Sequence, residues 1–132
     1  MKTIKVVCGI IRNGDKIFIA RRRKEKSLGG FWEFPGGKLE DGEDPKDALE
    51  RELQEELSME VVVEDYFMTN IHKYSTFTIE LIAYHCNFIS AAGSSTDHDK
   101  SEWIIPSKLS EFNLAPADIS IALKFIEVSW GR

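Results

Sequence analysis

The segment from Gly36 to Met59, GGKLEDGEDPKDALERELQEELSM, constrains this chain more than any other. Between Glu43 and Glu56 it holds seven carboxylates against one lysine and one arginine, yet the remaining residues describe a well-bounded helix. Asp44 is placed as N-cap, Pro45 suits the first helical position, where no amide hydrogen is needed, and Asp47 stands where a capping box has its second acid. Ala48, Leu49, Leu53 and Leu57 recur at helical spacing and form an apolar stripe that must be buried against another layer. At about 100° per residue, Glu52, Glu55 and Glu56 make a second stripe along the flank of the first.

Like charges at i, i+3 and i+4 repel by about 0.2–0.5 kcal/mol per exposed pair, and by more when partly desolvated. Two readings follow. Either the face is simply solvated, as acidic helix faces commonly are, or it holds a hard divalent cation, since Mg²⁺ is bound through a few carboxylates together with water and substrate phosphates.

The order of the residues favours the second reading. Gly37, Glu43, Arg51, Glu52, Leu53, Glu55, Glu56 and Met59 fall at the fixed positions of G-x5-E-x7-R-E-U-x-E-E-x-G-U, where U is a bulky aliphatic residue, and the segment resembles the Nudix box. Ser58 stands where that family has its last glycine. A left-handed helix terminus would suit glycine there, and serine costs about 1 kcal/mol or somewhat more. The resemblance implies that Glu52, Glu55 and Glu56 bind Mg²⁺, with Mn²⁺ as a substitute. Glu43 or Glu52 would orient the attacking water, and Arg51 would pair with a box carboxylate and hold its rotamer.

Ahead of the box, TIKVVCGII (Thr3 to Ile11) is rich in β-branched residues, Asn13-Gly14-Asp15 is a hairpin turn signal, and Lys16 to Ala20 resumes as a strand. Arg21-Arg22-Arg23-Lys24 is then a dense basic cluster in a chain of net charge −5. It reads as a solubilising loop or as a phosphate contact, the latter because it leads through Leu28-Gly29-Gly30 and Phe31 to Pro35 directly into the box. The stretches VVCGIIRNGDKIFIARR and EFPGGKLEDGE resemble the MutT-like branch of the Nudix family. That resemblance implies a nucleotide contact for Arg22, a metal-binding backbone carbonyl at Gly36, and a base pocket lined by Ile4, Val6, Cys8 and Phe34. Residue type alone is equally compatible with plain core packing of these apolar side chains.

Beyond the box, Val61 to Phe67 and Thr76 to Phe88 read as strands with neither face cleanly polar, as in a sheet covered on both sides. Ser90 to Ser101 reads as a polar loop. Within it, counting back from Trp103, Asp97 falls where MutT-like enzymes commonly place a glutamate that reaches the metal site, one methylene longer than aspartate. His98 beside it could tune a proton transfer but reads more readily as a surface histidine. Pro106 to Asn113 is a loop, and a final helix runs to about Val128 with apolar residues around much of its circumference. Asp118, near its start, reads as a cap or first-turn carboxylate. In the MutT-like branch the matching position reads the base, and the LAPADI sequence is similar to that of the cytidine-triphosphate members.

The resemblance covers essentially the whole length of 132 residues, which fits one domain. It implies an α/β fold, an α/β/α sandwich with a mixed sheet, the box helix on one side and the C-terminal helix on the other. The implied function is Mg²⁺-dependent hydrolysis of a nucleoside triphosphate to the monophosphate and pyrophosphate. Oxidised nucleotides such as 8-oxo-dGTP are the first expectation for substrate, CTP or modified dCTP the second, and a non-catalytic ligand-sensing domain is the alternative of another class. The acidic charge balance argues against stable nucleic-acid binding, which needs a basic face. No apolar run reaches membrane-spanning length, and the chain reads as cytoplasmic, a monomer or weak dimer with two buried thiols, Cys8 and Cys86.

Overall fold

The computed structural model describes residues 2–93 and 95–130, the last without its side chain. Along the chain run β1 (Lys2–Asn13), β2 (Lys16–Arg22), β3 (Trp32–Glu33), β4 (Gly36–Lys38), α1 (Pro45–Leu57), β5 (Met59–Lys73), β6 (Phe77–Ala91), β7 (His98–Ile104), a 3₁₀ turn (Pro106–Glu111) and α2 (Pro116–Trp130). The strands form one mixed sheet in the order β3-β2-β1-β6-β5, with β4 added to β1 and β7 to β2. Among the described strands only β1 and β6 pair parallel, from Lys2↔Phe77 to Arg12↔Asn87.

Alternation along β1 supplies both faces. Val7 and Ile11 meet the buried stripe of α1, Ala48, Leu49, Leu53 and Leu57, together with Cys86 of β6. Cys8 and Ile10 face the other way, onto Ile121, Ala122 and Phe125 of α2 with Leu81 and Ala83 of β6. Burial of each large aliphatic side chain contributes about 1.5–3 kcal/mol. The expected sandwich is therefore present, and the two cysteines are free thiols on opposite sides of the sheet. No helix among the described residues is long and apolar enough to cross a membrane.

The expected β1–β2 hairpin is much shorter than its sequence suggests. The two strands pair only at Arg12↔Ile17 and Asn13↔Lys16, and β2 then turns away to pair with β7 from Ile17↔Ile104 onward. The edge of β1 that β2 leaves is taken by β4, at Val6↔Lys38, Val7↔Gly37 and Cys8↔Gly36. The link between β3 and β4 crosses this opening, and the Gly9 amide donates to the Pro35 carbonyl at 2.9 Å. Such a close crossing requires glycine at Gly36, where a Cβ would collide with the Val7 carbonyl oxygen. The polar stretch read as a loop from Ser90 to Ser101 is strand at both its ends: β6 continues to Ala91 against Met59 of β5, and β7 begins at His98. Its Ser94 lies outside the described residues.

At the end of α1, Ser58 adopts the left-handed conformation, φ 49° and ψ 41°, and its amide donates to the Gln54 and Leu53 carbonyls. Serine in the glycine position therefore keeps the terminus and carries its strain. Relief of about 1–2 kcal/mol of left-handed strain, less about 0.4–1 kcal/mol of added unfolded-chain entropy, makes Ser58→Gly stabilising by roughly 0.5–1 kcal/mol. A midpoint shift of that size in urea denaturation, at unchanged slope, is the expected result.

Candidate active site

Where β2 separates from β1, the fold encloses a cavity of about 610 Å³. Two kinds of surface meet in it. One is acidic: Glu52 and Glu56 of α1, Asp97 from the loop before β7, and the backbone at Gly36 and Gly37. The other is apolar, made of Ile4, Val6, Phe34, Ile79 and Leu81, and contains the carboxyl groups of Glu33 and Asp118.

Local structure positions each acidic group. Asp44 Oδ2 accepts the amides of Lys46 and Asp47, both at 3.1 Å, and starts α1 so that Glu52 and Glu56 come round beside its buried stripe. Gly37 lies so close to Glu52 that a Cβ would meet its carboxylate. The Thr96 amide donates to the Glu56 carbonyl at 3.3 Å and the Arg23 amide to the Asp97 carbonyl at 3.0 Å, which fastens the Asp97 loop over the end of α1. Arg51 gathers the rest of the stripe: its guanidinium grips both oxygens of Glu43 at 3.0 and 3.1 Å and reaches Glu52 at 3.1 Å and Glu55 at 3.2 Å. The Arg51 hydrogen bonds hold Glu43 below the usual carboxylate range.

Positive charge is scarce inside the cavity. Asp97 meets Lys26 at 3.0 Å and Glu52 meets Arg51, while Glu56 pairs with no cation among the described residues. Burial, the hydrogen bond with Asp97 and the charges of Asp97, Glu52 and Glu33 push Glu56 up to about 9. The same hydrogen bond, followed by Lys26, holds Asp97 down. A converging set of hard oxygen donors, one of them protonated for want of a countercharge, suits a hard divalent cation. Among the described residues no three acidic or soft ligands stand close enough to enclose a metal by themselves. Mg²⁺ does not need such a cage, because it keeps waters and takes phosphate oxygens.

On the apolar side, Asp118 is buried in the first turn of α2 but caps nothing there. Its Oδ2 accepts the Phe34 amide at 2.9 Å, joining α2 to the link between β3 and β4. The approach is set by β3, whose Trp32 amide and carbonyl bond to Asn113 and Ala115 ahead of α2. Burial first, and then the charge of Glu33, raises Asp118 well above the usual carboxylate range, which favours its neutral form. Arg22 lines the cavity, with Nε donating to the Ser27 carbonyl at 2.7 Å, whereas Arg23 turns to the Thr96 carbonyl.

Of the residues singled out by sequence, Arg22, Ile4, Val6, Phe34, Gly36, Glu52, Glu56, Asp97 and Asp118 share this cavity. Glu43, Arg51 and Glu55 form the ion-pair cluster beside it, with the Glu55 side chain 59% exposed. Cys8 is buried under α2, its thiol raised by burial. Glu33 is not among the residues singled out, although it opens the EFPGGKLEDGE stretch and is a lone acid inside the aromatic run FWEF. His98, read as a surface residue, is instead buried, because a register shift between Arg21 and Arg22 brings it opposite Arg22 and turns it inward. Regular alternation would have left it on the exposed side with Lys100 and Glu102.

Comparison with known proteins agrees with this architecture. A sequence model of the NUDIX domain matches residues 6–124. The chain is 36% identical over 132 residues to the CTP pyrophosphohydrolase of Escherichia coli K12, covering all of this chain and 98% of that one. It is 51% identical over 61 residues to the 8-oxo-dGTP diphosphatase of Proteus vulgaris, covering 46% and 54%. The solution structure of the E. coli ORF135 protein superposes with a TM-score of 0.82 at 36% identity, over 100% of this chain and 94% of that one. The solution structure of MutT from methicillin-resistant Staphylococcus aureus 252, a Nudix hydrolase, gives 0.76 at 39%, over 96% and 98%. With its box on α1, its mixed sheet between two helices and these matches along nearly its whole length, the chain belongs to the NUDIX domain family, in the MutT-like branch.

Proposed function

We propose that the chain is a divalent-cation-dependent nucleoside triphosphate pyrophosphohydrolase that releases a nucleoside monophosphate and pyrophosphate, with cytidine triphosphates preferred. The observation that carries this reading is the shared cavity, where cation-poor carboxylates of α1 stand beside an apolar compartment containing the buried carboxyl of Asp118. Triphosphate and base need these two environments side by side. Glu52, Glu55, Glu56 and the Gly36 carbonyl would hold Mg²⁺ or Mn²⁺. When bound, the cation neutralises phosphate charge and acidifies water.

The protein's own groups supply the rest. Arg22 offers a guanidinium to phosphate oxygens, and Arg51 keeps the box carboxylates in register. Of the two candidates for orienting the water and taking its proton, Glu52 lines the cavity. Glu43 is held by both its oxygens on Arg51, which also lowers its carboxyl below the usual range and makes it the less suited of the two. Asp97 shares a hydrogen bond with Glu56 and tunes its charge.

Base selection falls to Asp118 and Glu33. With Oδ2 committed to the Phe34 amide, Asp118 in its neutral form has a hydroxyl to donate, and the Glu33 carboxylate accepts. Cytosine presents a ring-nitrogen acceptor next to an amino donor and fits that pair. The whole-length likeness to a CTP pyrophosphohydrolase supports this choice over the first expectation from sequence. Oxidised guanine, with a carbonyl next to a ring N–H, also fits, and is favoured by the 51% identical segment shared with an 8-oxo-dGTP diphosphatase.

The test is hydrolysis of a panel containing CTP, 5-substituted dCTP, 8-oxo-dGTP and ATP in Mg²⁺, scored for pyrophosphate against orthophosphate. Pyrophosphate release with highest kcat/KM on a cytidine nucleotide is expected. Orthophosphate release, or binding without turnover, would overturn the reading, the latter in favour of a ligand-sensing domain. In the same assay Arg22→Ala should raise KM about tenfold or more, as loss of a charge-assisted contact does. Arg23→Ala should change it less than about twofold, as suits a surface charge away from the ligand. Equal effects would mean that the cluster acts through bulk charge alone.

A further inference from the structure

Behind Glu33 lies a hydrogen-bonded chain that the hydrolytic reading does not use. His98 is buried, with 1% of its side chain exposed, and its Nε2 lies 2.8 Å from Glu33 Oε2. Its Nδ1 lies 3.1 Å from Ser95 Oγ, which also accepts the His98 amide at 3.2 Å. For a neutral ring these contacts favour one arrangement of the protons. An ionised carboxylate only accepts, so the proton facing Glu33 sits on Nε2. The Arg22 guanidinium lies 3.5 Å from the same Oε2. In the neutral ring Nδ1 is then bare, and the Ser95 hydroxyl, already accepting the amide, gives its one hydrogen to Nδ1. Both contacts to Glu33 use Oε2, which leaves Oε1 for the cavity that Glu33 lines.

We propose that His98 is a positioning residue for base selection: locked by Ser95 with its proton on Nε2, it fixes the Glu33 carboxylate and presents Oε1 as an acceptor to the base. This role rests on the reading of the cavity as a nucleoside triphosphate site. It explains why the bulge between Arg21 and Arg22 turns a histidine inward where regular alternation would expose it. It also makes the loop that carries Ser95 and Asp97 common to both halves of the cavity, Asp97 on Glu56 and Ser95 on His98. The His98 side chain bonds to Glu33 and Ser95 and reaches the phosphate side only through Arg22, which also meets Glu33 Oε2, so its loss falls mainly on discrimination between bases and spares the chemical step.

The experiment combines kinetics with ring-nitrogen NMR of the full chain. His98→Phe keeps the ring shape and removes the donor. It should raise KM for the preferred nucleotide about tenfold, leave kcat within about twofold, and shrink the preference over the poorest nucleotide by the same factor. His98→Gln, whose amide can donate to Glu33, should restore most of the preference. In the wild type at pH 7.5 the ¹⁵N shifts of His98 should show a protonated Nε2 and a bare Nδ1. A proton on Nδ1 in the wild type, or a His98→Phe enzyme that keeps its base preference or loses all nucleotides equally, overturns the proposal and leaves the hydrolase reading standing. A wild type that turns over no nucleotide overturns both.

Discussion

Glu56→Gln is expected to lower turnover by at least about a hundredfold, the scale on which loss of one preorganised electrostatic group at a reacting centre is felt. The same substitution should make the metal-free protein more stable at alkaline pH. The folded Glu56 binds its proton up to about pH 9, against an ordinary value of 4.5, because burial and the neighbouring acids disfavour its charge. A raised carboxyl contributes stability that is complete below its unfolded value and is lost as pH climbs through the folded one. Chelated wild type should therefore lose stability between about pH 5 and 9. A glutamine resembles the protonated acid and has no proton to lose, so the two proteins should melt alike near pH 5 and diverge towards pH 9. Added Mg²⁺ should flatten the wild-type profile and leave the variant unchanged. Melting curves from pH 5 to 9 with and without chelator measure this. Parallel profiles for the two proteins, or wild-type turnover in the variant, would remove Glu56 from the proposed cation site.

The second large effect concerns Asp118. Asp118→Ala deletes the acceptor of the Phe34 amide in a buried site, which costs about 1–3 kcal/mol of stability. It should also lower kcat/KM for the preferred nucleotide by about 1–3 kcal/mol, or roughly 5- to 150-fold, while poor substrates change little. Asp118→Asn separates the two roles. Its carbonyl can still accept from Phe34 and its amide can still donate into the cavity, so stability should return and most discrimination with it. A loss shared equally by every nucleotide, or a loss of stability alone, would mean that Asp118 serves only to tie α2 to Phe34. Its reading as a helix cap is already replaced by this cross-link, since its side-chain bond leaves its own helix.

Much of this was present in local pattern. The start of α1 at Asp44 and Pro45, its buried stripe and the adjacent carboxylate stripe follow from helical spacing, and the structure places each where that spacing requires. The two covered faces of the sheet follow from strands that are apolar on both sides. Such features are legible because a helix or strand repeats at fixed intervals of three to four or of two residues. The pattern misleads where pairing partners, distant in sequence, change the count. β2 leaves β1 after two pairs, because β4 and β7 compete for the two edges, and no local signal reports that competition. The same is true of Ser90 and Ala91, polar or small residues that become strand only because β5 is there to pair with them.

By itself, the sequence determined the box helix, the covered sheet and the family, since these rest on short-range spacing and on an ordered set of residue types. Tertiary structure alone decided the site: that Glu33 joins Asp118, that a bulge buries His98 behind Glu33, and that Glu43 is bound to Arg51 outside the cavity while Glu52 lies within it. The physical reason is that ionisation and exposure of a carboxylate depend on which charges and apolar walls lie within a few ångströms. For Glu33 and Asp118 those neighbours stand 65 and 84 residues away along the chain.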